Sequence, residues 1–98
     1  MERRSQIVIV ADILEIAQAG CGQTKIMYGT NLNYRRLKCY LNFLQSRGFV
    51  EATMRSRQTA YQTTTQGVTL LYHIRSVLTS LEHMENESVS DRGQTDKP

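Results

Sequence analysis

Apolar and polar residues follow two different periods along this chain, and the change between them marks out its elements. Ile9, Ile13, Ile16 and Ala17 share one side at helical spacing, widened by Val10 and Leu14, while Asp12, Glu15 and Gln18 fall opposite. This predicts a first helix over about 5–19, capped by Ser5 and ended by Gly20 and Gly22. The β-branched run Ile7-Val8-Ile9-Val10 favours a strand on propensity alone, and the helical placement of the polar residues outweighs it. Thr24 is placed to cap a short second helix, about 24–30, that buries Ile26 and Met27. Asn31-Leu32-Asn33 makes a turn, and Asn33 caps a third helix that runs to about residue 47 and is closed by Gly48. Tyr34, Leu37, Tyr40, Leu41 and Leu44 form its core stripe; Arg35, Arg36, Lys38, Cys39, Asn42 and Ser46 form the opposite face.

From Phe49 the period drops to two. Residues 49–54 read as a strand, 55–58 as a polar turn, and 59–63 as a returning strand rich in Thr and Tyr. Thr64 then caps a last helix along which Val68, Leu71, Ile74, Leu78 and Leu81 recur. The final four are spaced 3, 4, 3, as in a short coiled-coil seam. Beyond about Asn86 the chain turns polar, and disorder is expected there. The organisation that follows is a domain over 1–64, a pairing helix over 65–85 and a polar tail over 86–98. The fold class is mainly α with a small β-hairpin. Helix, helix-turn-helix, two-stranded wing and trailing helix is the order of a winged helix-turn-helix with a C-terminal dimerisation helix.

Charge sharpens this picture. The 98 residues carry a net +3, yet residues 35–57 hold six basic side chains against one acid, Glu51, for +5. A basic helix followed at once by a basic hairpin suits a polyanion, and the acidic end suits a solvated tail. A chain this short buries a modest fraction of its surface, so a second copy covering apolar area would stabilise it. No apolar stretch approaches the length of a membrane span and no signal-peptide pattern opens the chain, so a soluble cytoplasmic protein is expected. Cys21 and Cys39 make no disulfide framework and read as reduced thiols.

Three motifs carry a family resemblance: Thr24-Lys25-Ile26-Met27-Tyr28; Asn31-Leu32-Asn33-Tyr34 with Leu37 and Tyr40-Leu41; and Gly48-Phe49-Val50-Glu51. Together they resemble the archaeal ten-kilodalton winged-helix DNA-binding proteins. Tyr61-Gln62-Thr63-Thr64-Thr65-Gln66-Gly67 is similar to the Tyr-x-x-Thr-x-x-Gly junction between wing and last helix in that group. The likeness spans roughly 5–84. It implies a homodimer, paired antiparallel through the last helices, that binds double-stranded DNA as a nucleoid-associated chromatin protein or transcriptional regulator. This chain departs from the group in ending its seam near Leu81, with Met84 last, and in placing Cys39 and Asn42 where charged residues are common.

An α-helix fits the B-DNA major groove, with its N-terminal side chains reaching the base edges. Arg35 and Arg36 are the leading contacts, since a guanidinium bonds bidentately to guanine or phosphate. Lys38 suits phosphate, and Asn42 pairs with adenine if it faces the groove. Arg55 and Arg57 flank the hairpin turn and read as wing contacts to the minor groove or its phosphates. Thr24 and Lys25 open the second helix, whose free N–H groups suit a phosphate; a structural cap is the other reading of Thr24. Arg47 complements the third helix's dipole. Tyr28, Tyr34 and Tyr40 read as packing at the core or its margin. Leu71, Ile74, Leu78 and Leu81 form the expected dimer interface.

Cys21, Cys39, His73 and His83 lack a metal-ligand spacing, and no catalytic constellation or glycine-rich phosphate loop is present in the sequence. Neither an enzyme, nor a cofactor, nor a metal site, nor a small-molecule substrate is expected. The alternative of a different class is a winged-helix module that docks on proteins of the transcription machinery.

Overall fold

The computed structural model describes the backbone of residues 5–95 and the side chains of residues 5–84. Helix α1 (Gln6–Ile16) opens with Ser5, whose hydroxyl accepts from the Val8 N–H at 3.3 Å. A 3-10 turn (Ala17–Ala19) and Gly20, at φ +87°, then end it. Strand β1 (Cys21–Gly22) leads directly into α2 (Gln23–Thr30). Asn31, in the left-handed region at φ +61°, turns the chain towards α3 (Tyr34–Ser46). Asn33 caps α3 through a 2.8 Å bond from the Arg36 N–H. A hairpin of β2 (Val50–Arg55) and β3 (Gln58–Thr63) precedes the long helix α4 (Thr65–Thr95).

The helical reading of Ile7–Val10 holds, because burial rather than propensity decides: Ile9, Ile13 and Leu14 of α1 stand in the core. There they meet Ile26 from α2, Leu37, Leu41 and Leu44 from α3, Val50 and Tyr61 from the sheet, and Leu71 from α4. Each such aliphatic side chain contributes roughly 1.5–3 kcal/mol on leaving water. Where this core needs polar atoms, their partners are internal. Buried Thr63 donates to the Leu14 carbonyl at 2.7 Å and fixes the hairpin base to α1, and Thr30 donates to the Ile26 carbonyl at 2.7 Å.

The sheet differs from the expected two-stranded wing. It has three antiparallel strands in the order β1-β3-β2, with Cys21 opposite Tyr61 and Gly22 opposite Ala60. A two-residue strand between two helices carries no alternation to read, which is why the sequence conceals it. The cap of α2 is also corrected. Gly22 occupies that position without a side-chain bond, and Thr24 lies inside the helix with an exposed side chain. Tyr34 was expected in the core stripe but is exposed: it opens α3, and burial within that helix begins only at Leu37.

Helix α4 continues past residue 85 into the segment read as a polar tail, 86–98. The side chains there, and residues 96–98 altogether, lie outside the described residues. At its other end α4 is locked to the hairpin. The Thr64 hydroxyl donates to the Gly48 carbonyl at 2.6 Å and accepts from the Gly67 N–H at 3.0 Å, while the Thr64 N–H donates to the Phe49 carbonyl at 3.0 Å. A Cβ on Gly67 would land on the Phe49 carbonyl oxygen and within 2.6 Å of Thr63 Cγ2. Further along, Arg75 pairs with Glu15 and ties α4 to α1.

The hairpin turns on Ser56 (φ +48°) and Arg57 (φ +68°), with Arg55 opposite Gln58. Two consecutive positive φ angles make a type I′ turn, whose second central position favours glycine. An L side chain there costs about 1–2 kcal/mol.

Gly67→Ala should lower stability by about 1–3 kcal/mol despite alanine's better helix propensity, because overpacking against a carbonyl outweighs it; thermal unfolding measures this, and an unchanged midpoint would mean the joint is slack. Arg57→Gly should instead raise the melting temperature by roughly 2–5 °C as the turn relaxes, with a fall refuting the strained turn.

Candidate nucleic-acid interface

The cations singled out in the sequence lie on α2, α3 and the hairpin tip, and α3 spreads its own around more than one side. At about 100° per residue, Leu37, Leu41 and Leu44 point inward and Arg35, Cys39, Asn42 and Ser46 point directly outward. Arg36 and Lys38 fall on opposite flanks, about 160° apart. Arg36 lines a shallow groove against α1 with Gln6, Val10, Cys39, Tyr40 and Phe43. Lys38 lies on the other flank, facing β3 and the start of α2, and its ammonium donates to the Tyr61 hydroxyl at 3.4 Å. A helix seated in a groove touches its walls with both flanks, so this division suits a central reading face between two cationic edges.

Thr24 and Lys25 stand exposed at the second and third positions of α2, on the same side of the molecule as Lys38. Arg55 ends β2 and Arg57 sits in the turn, both exposed. Among the described residues, none of Arg35, Arg36, Arg55 and Arg57 forms an ion pair. Arg47 occupies the C-cap of α3, and its guanidinium lies 5.0 Å from the centroid of the Phe43 ring.

Two of the three tyrosines placed at the core or its margin are corrected. Tyr28 is 84 % exposed and Tyr34 is 53 % exposed, and only Tyr40 packs against the core. Tyr61, within the hairpin's Tyr/Thr run, is the tyrosine that is buried. The sequence signal for this was the strand alternation that places Tyr61 and Thr63 on one side.

The seam on α4 is divided. Leu71 is only 6 % exposed and belongs to the chain's own core, with Ile74 packed against it. Leu78 is half-buried, and Leu81 is exposed together with Val77 and Met84 on the same side of the helix. Leu71 and Ile74 are therefore satisfied within the protomer, and the outward apolar strip lies further along α4 than the heptad spacing suggested.

No group of His, Cys, Asp and Glu among the described residues is arranged to hold a metal ion. Burial pushes the Cys21 thiol up, with Lys25 opposing it, so that thiol is not activated. No helix among the described residues is long and apolar enough to cross a membrane.

Comparison with known proteins places this architecture. The chain is similar to Sso10a-2, a DNA-binding protein from Sulfolobus solfataricus, at 29 % identity and a TM-score of 0.81, over 90 % of this chain and 95 % of that one. It also shares its fold with Staphylococcus aureus MepR solved in complex with DNA, at 15 % identity and a TM-score of 0.65, over 95 % of this chain and 79 % of that one. An uncharacterized protein from Methanocaldococcus jannaschii is 40 % identical over 50 residues, which are 50 % of this chain and 52 % of that protein, so this chain spans about half the length of that relative. The archaeal matches agree with the resemblance carried by the helix-turn-helix and junction motifs. A family model for the winged helix-turn-helix matches residues 3–82, and the chain belongs to that family.

Proposed function

We propose that this protein binds double-stranded DNA as a homodimer and serves as a transcriptional regulator or nucleoid-associated chromatin protein rather than as an enzyme. The observation that carries this reading is the outward face of α3, where Arg35 and Asn42 stand exposed between the cationic flanks of Arg36 and Lys38. In the complex α3 enters the major groove with Arg35 and Asn42 towards base edges, while Arg36 and Lys38 meet phosphates on the two walls. Arg55 and Arg57 extend along the neighbouring minor groove from the hairpin tip. The strained turn supports this placement, since arginine holds a position where glycine would be more stable. The DNA-binding relative Sso10a-2 supports the same partner.

The second copy joins through α4. Val77, Leu81 and Met84 offer an apolar strip beyond the protomer's own core, continued by Leu78. Two such strips facing each other cover area that a 98-residue chain leaves in water. Pairing there sets two copies of α3 on one duplex. The cytoplasm and its nucleoid are the place for such a protein.

Arg35→Ala combined with Arg36→Ala should weaken duplex binding at least about tenfold while leaving the melting temperature nearly unchanged, as expected for exposed side chains; unaltered affinity in an anisotropy titration would remove α3 from the interface. With about six phosphates neutralised by the dimer, the logarithm of the binding constant should fall with the logarithm of salt at a slope of roughly −5. Binding that ignored salt would point to a protein partner instead. Leu81→Asp should yield monomers in sedimentation, and a dimer that survives it would place the subunit contact elsewhere.

A further inference from the structure

Tyr28 and Tyr34 are large side chains that water ordinarily disfavours, and the core does not use them. Both line one open groove, together with Lys25 and Lys38 and with Gln58 and Thr59 at the tip half of β3. Its walls thus come from all three parts of the winged helix: the start of α2, the first turns of α3, and the hairpin. No carboxylate lines it. Lys38 is held at the wall rather than left to wander, by its 3.4 Å bond to the Tyr61 hydroxyl and by the face of that ring, 6.0 Å from the ammonium. Because Gly22 supplies no side-chain cap, no side chain of the cap position claims the first N–H groups of α2. The groove therefore presents two ammonium groups, phenol hydroxyls, side-chain amides and backbone donors, without a competing anion. That inventory complements an anion with several oxygens, and the exposed phenol rings suit a flat apolar neighbour beside it.

Resting on the reading of the protein as a duplex binder, we propose that this groove seats the sugar–phosphate backbone of one DNA strand. Lys25 and Lys38 bracket successive phosphates, Tyr28 and Tyr34 donate their hydroxyls to phosphate oxygens, and their rings pack against deoxyribose. The groove carries no sequence information. It fixes the register in which the outward face of α3 meets base edges, so Tyr28 and Tyr34 act as positioning residues for the recognition helix. The groove also explains why both tyrosines stand in solvent in the unbound chain.

The test uses the full chain with Lys25→Gln, Tyr28→Phe and Tyr34→Phe combined, substitutions that keep side-chain bulk and leave the buried core untouched. Titrated against a labelled duplex, the triple variant should bind about tenfold more weakly, and its salt slope should be shallower by roughly two for a dimer that has lost one phosphate contact per subunit. In a duplex scanned with neutral methylphosphonates, one or two positions per half-site should weaken the parent protein but not the variant. If the parent binds duplex, Arg35→Ala with Arg36→Ala weakens it, and the triple variant matches the parent in affinity and slope, the groove assignment is overturned while the duplex reading stands. A parent that fails to bind duplex overturns both. A variant that keeps its duplex affinity but loses single strands would assign the tyrosines to base stacking and also overturn the proposal. So would displacement of the duplex by a nucleoside triphosphate at micromolar concentration and constant ionic strength, which would make the groove a free-nucleotide site.

Discussion

The short joint between hairpin and last helix holds this protein to one shape. Through a single hydroxyl, Thr64 closes the start of α4 and reaches back to the carbonyl of Gly48, just beyond the end of α3. Gly67 lets the two backbones touch where any side chain would hold them apart. Helix α3 and the helix proposed to pair with a second copy are thereby related by a few short hydrogen bonds and a close backbone packing. In the dimer proposed above, that junction would set the angle between the outward face of α3 and the second copy.

Around this joint the chain separates its chemistry by side. The inward faces of four helices and the hairpin base are apolar and internally bonded, whereas Lys25, Arg35, Arg36 and Lys38 lie on the early turns of α2 and α3, Arg55 and Arg57 lie at the hairpin tip, and Arg75 on α4 is paired with Glu15. The strain in the turn is local to the tip and is offset by a well-satisfied base, where Thr63 bonds to α1. Stability is concentrated where the sheet meets the helices.

Much of this was legible before any coordinates. Ser5, Asn33 and Thr64 each cap the helix that their position predicts, and the spacing of Leu37, Leu41 and Leu44 identifies the buried side of α3. Other features had no local signal. β1 exists because β3 offers it an edge, a tertiary fact that no period in two residues records. Thr24 looked like a cap because threonine favours that role, yet the strand pairing of Gly22 moves the helix start forward. Tyr28 and Tyr34 were misplaced by hydrophobicity, since a phenol ring is equally at home against a core or beside a ligand. Leu71 and Ile74 fit a heptad, but a helix that packs on its own domain first uses its leading turns for that contact. Charge clustering singled out the basic residues of α3, although it did not show that Arg36 and Lys38 lie on opposite flanks.

The sheet is three strands wide at its base and two at its tip. Pairing with β1 ends at Gly22 and Ala60, so from Thr59 outward the hairpin is a bare ribbon. A two-stranded ribbon twists more readily than a broader sheet, which gives the wing a gradient of stiffness: rigid where it is rooted in the protein, compliant where it carries its arginines. In the duplex complex proposed above, such a finger would follow a groove whose width varies from one sequence to the next while its root stays still, so local changes in duplex shape would be absorbed at the fingertip and not passed on to α3.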